Sequence, residues 1–180
     1  EGGYQARERT RLRGVVFIGD WRYTKECEAE LFDDNQQSIG TGTLYLKDAK
    51  VGDAAQLTAY TAVDYKIGNA LNLDLGYRFV DNLYADYSIT DSDFTEPDNK
   101  GALKLPSYGL MDVGITGRFS LFGQDASLRV NVNNALNTTY IAESNSNIHA
   151  TADSQTWNGI DTRNYVWFGF GRTWNSTLEY

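Results

Sequence analysis

Leu57-Thr58-Ala59-Tyr60-Thr61-Ala62-Val63-Asp64-Tyr65-Lys66-Ile67, followed by Gly68-Asn69 and then Leu71-Asn72-Leu73-Asp74-Leu75-Gly76-Tyr77-Arg78-Phe79-Val80, is the stretch whose reading decides the fold. Its period is two. Leu57, Ala59, Thr61, Val63, Tyr65 and Ile67 fall on one side, and Thr58, Tyr60, Ala62, Asp64 and Lys66 on the other, as successive side chains of a strand do. Gly68-Asn69 is turn chemistry, and beyond it Leu71, Leu73, Leu75, Tyr77 and Phe79 oppose Asn72, Asp74, Gly76, Arg78 and Val80. The stretch predicts a hairpin of two long strands, each with one apolar and one polar face.

The same grammar recurs outward from it. Val113, Ile115, Gly117, Phe119 and Leu121 alternate with polar or small residues, turn at Phe122-Gly123-Gln124-Asp125, and continue in Leu128, Val130 and Val132. The closing segment places Val166, Phe168, Phe170, Trp174, Leu178 and Tyr180 on one face, and near the start Val15, Phe17 and Trp21 are in phase. Six long strands are predicted, at 11–32, 55–67, 70–90, 108–121, 125–135 and 164–179, with a short one within 40–47. The expected fold is all-β, an antiparallel meander of long strands forming part of a transmembrane β-barrel. Its connections alternate: long at 33–54, 91–107 and 136–163, short at 68–69 and 122–125. Outer-membrane barrels combine tight periplasmic turns with large external loops in this way. Their strands also run to about 9–11 residues, against about 5–6 in soluble proteins. Aromatics near strand ends, Trp21, Tyr23, Tyr84, Tyr87, Tyr108, Tyr140, Tyr165, Trp167, Trp174 and Tyr180, fit interfacial girdles. The competing reading places them in a soluble sandwich core. Six strands are too few to close a membrane barrel, which takes about eight, so a single barrel portion is expected over 1–180.

Composition narrows the partners. A formal charge of −8 over 180 residues opposes binding to nucleic acid. Cys27 is the only cysteine, which excludes an internal disulfide and a cysteine-cluster zinc site. The longest apolar runs, Val15–Ile18 and Tyr165–Phe170, fall far short of the ~18–20 residues of a spanning helix. The opening Glu1-Gly2-Gly3-Tyr4 reads as a processed or cut end.

Three further stretches carry a resemblance. Leu105-Pro106-Ser107-Tyr108 followed by Asp112 resembles the Leu-Pro-Ser/Ala-Tyr strand entry of TonB-dependent outer-membrane receptors. Asn133-Asn134-Ala135-Leu136-Asn137 with Tyr140 is similar to that family's Asn-Asn-Leu-x-Asn-x-x-Tyr motif on the penultimate strand, and Tyr165 to Gly171 with Tyr180 to its closing strand. The resemblance is clear over 105–180. It implies that the chain is the C-terminal segment of the transmembrane β-barrel, without the plug domain, of a nutrient receptor of a Gram-negative-type outer membrane, taking up an iron chelate, cobalamin or a glycan, with membrane lipid and the rest of the receptor as partners. The plug and the segment that contacts TonB are not among these residues. Leu178 and Tyr180 fit the family's C-terminal assembly signal, although Asn175 stands where glycine is common and Tyr180 replaces the commoner Phe. Read from the residues alone, the Asn133, Asn134 and Asn137 amides suit turn chemistry, because Asn bonds local backbone and tolerates left-handed conformations.

Candidate chemistry is sparse, and no catalytic, cofactor or metal residues are expected. His149 is the only histidine, near Ser144, Ser146 and Ser154, with no spacing that forces a triad. Asp91 to Asn99 is acidic but lacks the spacing of an EF-hand. Asn137-Thr138-Thr139 and Asn175-Ser176-Thr177 match the glycosylation sequon, a match that is accidental if the protein is bacterial. Trp157, in a long polar loop, is the candidate ligand contact, since an exposed indole can stack on a sugar. A small self-contained β-barrel binding protein is the alternative, and an outer-membrane enzyme using His149 a third reading.

Overall fold

The computed structural model describes residues 2–89 and 92–180. The chain is all-β. Its strands are β1 (Gly2–Arg7), β2 (Thr10–Ile18), β3 (Cys27–Phe32), β4 (Ser38–Leu44), β5 (Leu57–Ile67), β6 (Leu71–Asp81), β7 (Tyr108–Leu121), β8 (Gln124–Asn133), β9 (Ile141–Ser144), β10 (Thr156–Trp157), β11 (Ile160–Asp161), β12 (Val166–Phe168) and β13 (Thr173–Glu179). Seven of them form one antiparallel sheet in the order β1-β2-β5-β6-β7-β8-β13. Every neighbour in that order is the next sheet strand along the chain, so the sheet is a meander. It is open: among the described residues, β1 and β13 each have one neighbour.

In such a meander the connections fall alternately at the two ends. Residues 8–9, 68–70 and 122–123 make the short turns at one end, and 19–56, 82–107 and 134–172 make the long connections at the other. Phe122 and Gly123 both have positive φ, 49° and 82°, matching the right-handed twist of the strands they join.

The register sorts the side chains. Leu12, Val63, Leu75, Val113, Val132 and Trp174 lie directly opposite one another across β2, β5, β6, β7, β8 and β13, giving an unbroken apolar row. Val16, Ala59 and Phe79 continue that face towards the long connections, and Ile67, Leu71, Leu128 and Leu178 towards the short turns. Much of it is uncovered, Trp174 being 74% exposed. The buried core lies instead in the long connections. One cluster gathers Leu83, Ala85, Leu103, Leu105, Ile141 and Ile160, and the other Leu44, Leu46, Ala49 and Phe94.

Several sequence expectations change. The predicted strand 11–32 ends at Ile18, because Gly19 and Tyr23 donate to Gln56 O and Ala49 O and turn the chain along its own connection. Residues 27–32 then form the β3–β4 hairpin, apart from the main sheet. Val16 and Ile18, facing Ala59 and Leu57, occupy the apolar face, whereas Val15 and Phe17 face Tyr60 and Thr58 on the other. Of 164–179, only Thr173–Glu179 joins the main sheet, since Val166–Phe168 pairs with β9. Strand 70–90 ends at Asp81, and Thr90, like Asp91 at the head of loop 91–107, lies outside the described residues.

Candidate functional site

The polar face is as ordered as the apolar one. Arg11, Asp64, Asp74, Gly114, Asn131 and Asn175 make one cross-strand row, and Lys66, Asn72, Thr116, Arg129 and Thr177 the next. Arg13 donates through Nε and Nη2 to the two Asp64 oxygens at 3.1 Å each. Arg129 reaches Asp74 at 2.9 Å and the Thr116 hydroxyl at 3.1 Å, and Asn131 donates to Asn175 at 2.8 Å.

The residues that carry the family resemblance come together where β8 ends. Asn134 is buried and has φ of 49°, and Asn137 has φ of 55°. The Asn134 amide donates to Thr138 O at 2.9 Å and Phe170 O at 3.2 Å, and its Oδ1 accepts from Thr138 N at 2.8 Å. Its backbone N donates to Asp112 Oδ1, while Asn137 Oδ1 accepts from Arg172 N, both at 2.9 Å. One side chain thus ties the end of β8 to the segment that feeds β13. Beside it the rings of Tyr108 and Tyr140 lie 4.3 Å apart, and Tyr140 packs so closely on Gly169 that a Cβ there would meet its ring at 1.9 Å. Leu105 is buried in the first core cluster, and Pro106 and Ser107 lead from it into β7. Asn133 donates to the Thr173 hydroxyl at 3.3 Å. These contacts hold the fold. Asp112 and Phe170, which complete the arrangement, belong to the two other stretches that carry the resemblance.

The long connections form a folded cap. Trp157, expected exposed, is half-buried: it packs on the first core cluster and meets Phe168 edge-on at 5.1 Å. Tyr108, at the start of β7, packs on the same cluster, and Tyr23 and Tyr87 pack on the second. Tyr87 donates its hydroxyl to Lys50 O at 2.6 Å, and burial pushes its pKa up to about 12. Asp161 is a buried carboxylate that sequence reasoning missed. Arg163 donates to it through Nε, Nη2 and its backbone N, at 3.0, 2.7 and 2.9 Å, and Ser154 donates at 2.6 Å. These bonds, the Arg163 guanidinium first, hold its carboxyl well below the usual carboxylate range.

His149 is half-buried with Nε2 3.0 Å from Gly101 O. The nearby serine hydroxyls bond elsewhere: Ser144 to Ser146 O, Ser146 to Asn164, Ser154 to Asp161. Among the described residues no group of His, Cys, Asp and Glu is arranged to hold a metal ion. Cys27 is exposed on β3, and Leu178 and Tyr180 are exposed at the end of β13. No helix among them is long and apolar enough to cross a membrane. No protein-family model and no curated protein matches this chain.

Proposed function

We propose that the chain is the C-terminal barrel portion of a TonB-dependent outer-membrane receptor, a transporter that takes up a scarce nutrient such as an iron chelate, cobalamin or a glycan. The observation that carries this reading is the sheet itself, which is apolar and uncovered on one side, polar and internally bonded on the other. A soluble sheet buries its apolar face against a second layer, and this one puts its core in the connections instead. Lipid is the solvent that suits the bare face, and a water-filled lumen suits the other.

The dimensions agree. β5 and β6 are 11 residues long, and their ten steps of about 3.4 Å, tilted about 40°, give a height of roughly 26 Å. An outer-membrane barrel has an apolar band about 25 Å tall. The free edges of β1 and β13 support a larger closed wall over a self-contained barrel, because unpaired backbone groups are not tolerated in hydrocarbon. On this reading the short turns face the periplasm, and the three long connections form part of the external surface that captures ligand. TonB acts through the absent N-terminal part.

The test is the native gene product: its intact mass and its membrane fraction. A mature protein several-fold heavier than 20.2 kDa in the outer membrane fits the proposal. A native product of about that mass overturns it.

A further inference from the structure

The net charge of the chain is confined to one end of the sheet. Residues 19–56 hold eight acidic and four basic side chains, residues 82–107 five and two, and residues 134–172 three and two; the rest of the chain holds eight of each. The formal −8 therefore belongs to the long connections, and the rest of the chain sums to zero. Between two of those connections lies an open cleft of about 770 Å³, lined by Asp93, Glu96, Asp98, Asn147, His149 and Arg163 among others. That volume falls within the range of small-molecule sites, roughly 300–1,000 Å³.

The cleft is braced on both sides. On one wall Phe94 is buried in the second core cluster and its carbonyl accepts from Tyr45 N at 2.7 Å, which anchors the segment bearing Asp93 and Glu96. On the other, Asn147 and His149 both reach Gly101 O, at 2.9 and 3.0 Å, and Asn147 Oδ1 accepts from Leu103 N at 2.6 Å. The walls are thus stapled to each other before any ligand arrives, which lowers the ordering cost of binding. The charges are unequal. Arg163 is already engaged by buried Asp161, so among the described lining residues three carboxylates stand against Lys100 and an Arg163 whose charge is matched.

We propose that this cleft is a ligand site for a cationic small molecule rich in hydroxyl or amide groups. The proposal rests on the receptor reading and narrows its cargo, setting anionic chelates and acidic glycans aside. Carboxylates accept charge-assisted hydrogen bonds from an ammonium, the amide wall and His149 serve the uncharged groups, and the acidic end enriches cations at the mouth while repelling anions.

The experiment uses the full-length receptor in outer-membrane vesicles and three trisaccharides of matched size: triglucosamine (cationic), tri-N-acetylglucosamine (neutral) and trigalacturonate (anionic). Equilibrium dialysis is expected to rank them in that order, with about tenfold between the first two, equivalent to about 1.4 kcal/mol. Asp93→Asn/Glu96→Gln/Asp98→Asn should lose about tenfold for triglucosamine. Glu8→Gln/Asp125→Asn/Glu179→Gln, the same charge change at the short-turn end of the sheet, opposite the cleft, should lose less than about threefold, since the Debye length is about 8 Å. Equal losses in both variants, no binding of triglucosamine, or trigalacturonate binding as tightly overturns the proposal. The wild-type ranking decides the matter where the cleft variant does not assemble. A protein found outside the outer membrane refutes the receptor reading alone, whereas a failed ranking in an outer-membrane protein refutes the cleft alone.

Discussion

Asp74 of β6 and Arg129 of β8 form an ion pair at 2.9 Å although β7 lies between their strands. They meet over Gly114, where an added Cβ would stand 2.1 Å from Asp74 Oδ2 and 2.7 Å from Arg129 Nη2. The missing side chain is what lets three adjacent strands be clasped on the polar face. Gly114→Ala is expected to break the pair and to destabilise by about 1–2 kcal/mol, a modest value because both partners are part-exposed. Gly117→Ala, with nothing within 4 Å of its Cβ, should leave the thermal unfolding midpoint unchanged. Heat-modifiability of the two variants on gels checks the contrast.

Asn134 combines a left-handed backbone with three amide hydrogen bonds. Asn134→Ala removes the bonds and adds strain, with an expected cost of about 2–4 kcal/mol. Asn134→Gly loses the same bonds without the strain, so its thermal midpoint should fall between those of alanine variant and wild type. Equal midpoints for the two variants would show that the left-handed geometry carries no cost.

Asp161 gives the cap a defined acid sensitivity. Its pKa is depressed in the folded state, below the 3.8 of a free aspartate. The stabilisation is therefore fully present above about pH 4 and is lost progressively as pH falls through the folded value. Trp157, whose strand β10 pairs with the β11 strand bearing Asp161, is the reporter. Its emission, taken as the difference from Trp157→Phe, should hold constant from pH 8 to about 5 and shift below about 4. In Asp161→Asn that step should disappear.

The two sheet faces should respond oppositely to charge. Val113→Arg places a guanidinium in the middle of the apolar row, where a lipid-facing residue costs about 2–4 kcal/mol near the midplane. Asn131→Arg, on the polar face, should assemble at near wild-type yield. Comparable yields of folded, heat-modifiable protein from both would argue against lipid on the Val113 side.

The hairpins 57–81 and 108–133 were legible because each residue there is sorted by a single rule, alternation between an apolar and a polar face. β1 was not, because Gly2 and Gly3 have no side chains to alternate. The overlong strand 11–32 arose because Trp21 lies at the same two-residue spacing as Phe17, while the event that ends β2, backbone bonding of residues 19–23 to 49–56, leaves no periodic trace. The cap was the least legible. Its core joins Leu83, Leu103, Ile141 and Ile160 across nearly 80 positions, and its buried carboxylate is a lone Asp two residues before an Arg. The Asn134 turn was readable in kind, since few residues accept that backbone; Asp112 and Phe170 stood in the quoted stretches, but their bonds to Asn134 left no trace in the sequence.

The most direct measurement of the central claim, that the apolar face lies in lipid, is fluorescence quenching of a bimane label at Val113→Cys and, separately, at Asn131→Cys, in a cysteine-free full-length background. The account predicts that the label at 113 is quenched by brominated acyl chains and spared by aqueous iodide, with the reverse at 131. Strong iodide quenching at 113 with none from brominated lipid would contradict it, and the bare apolar face would then require a protein layer in place of a membrane.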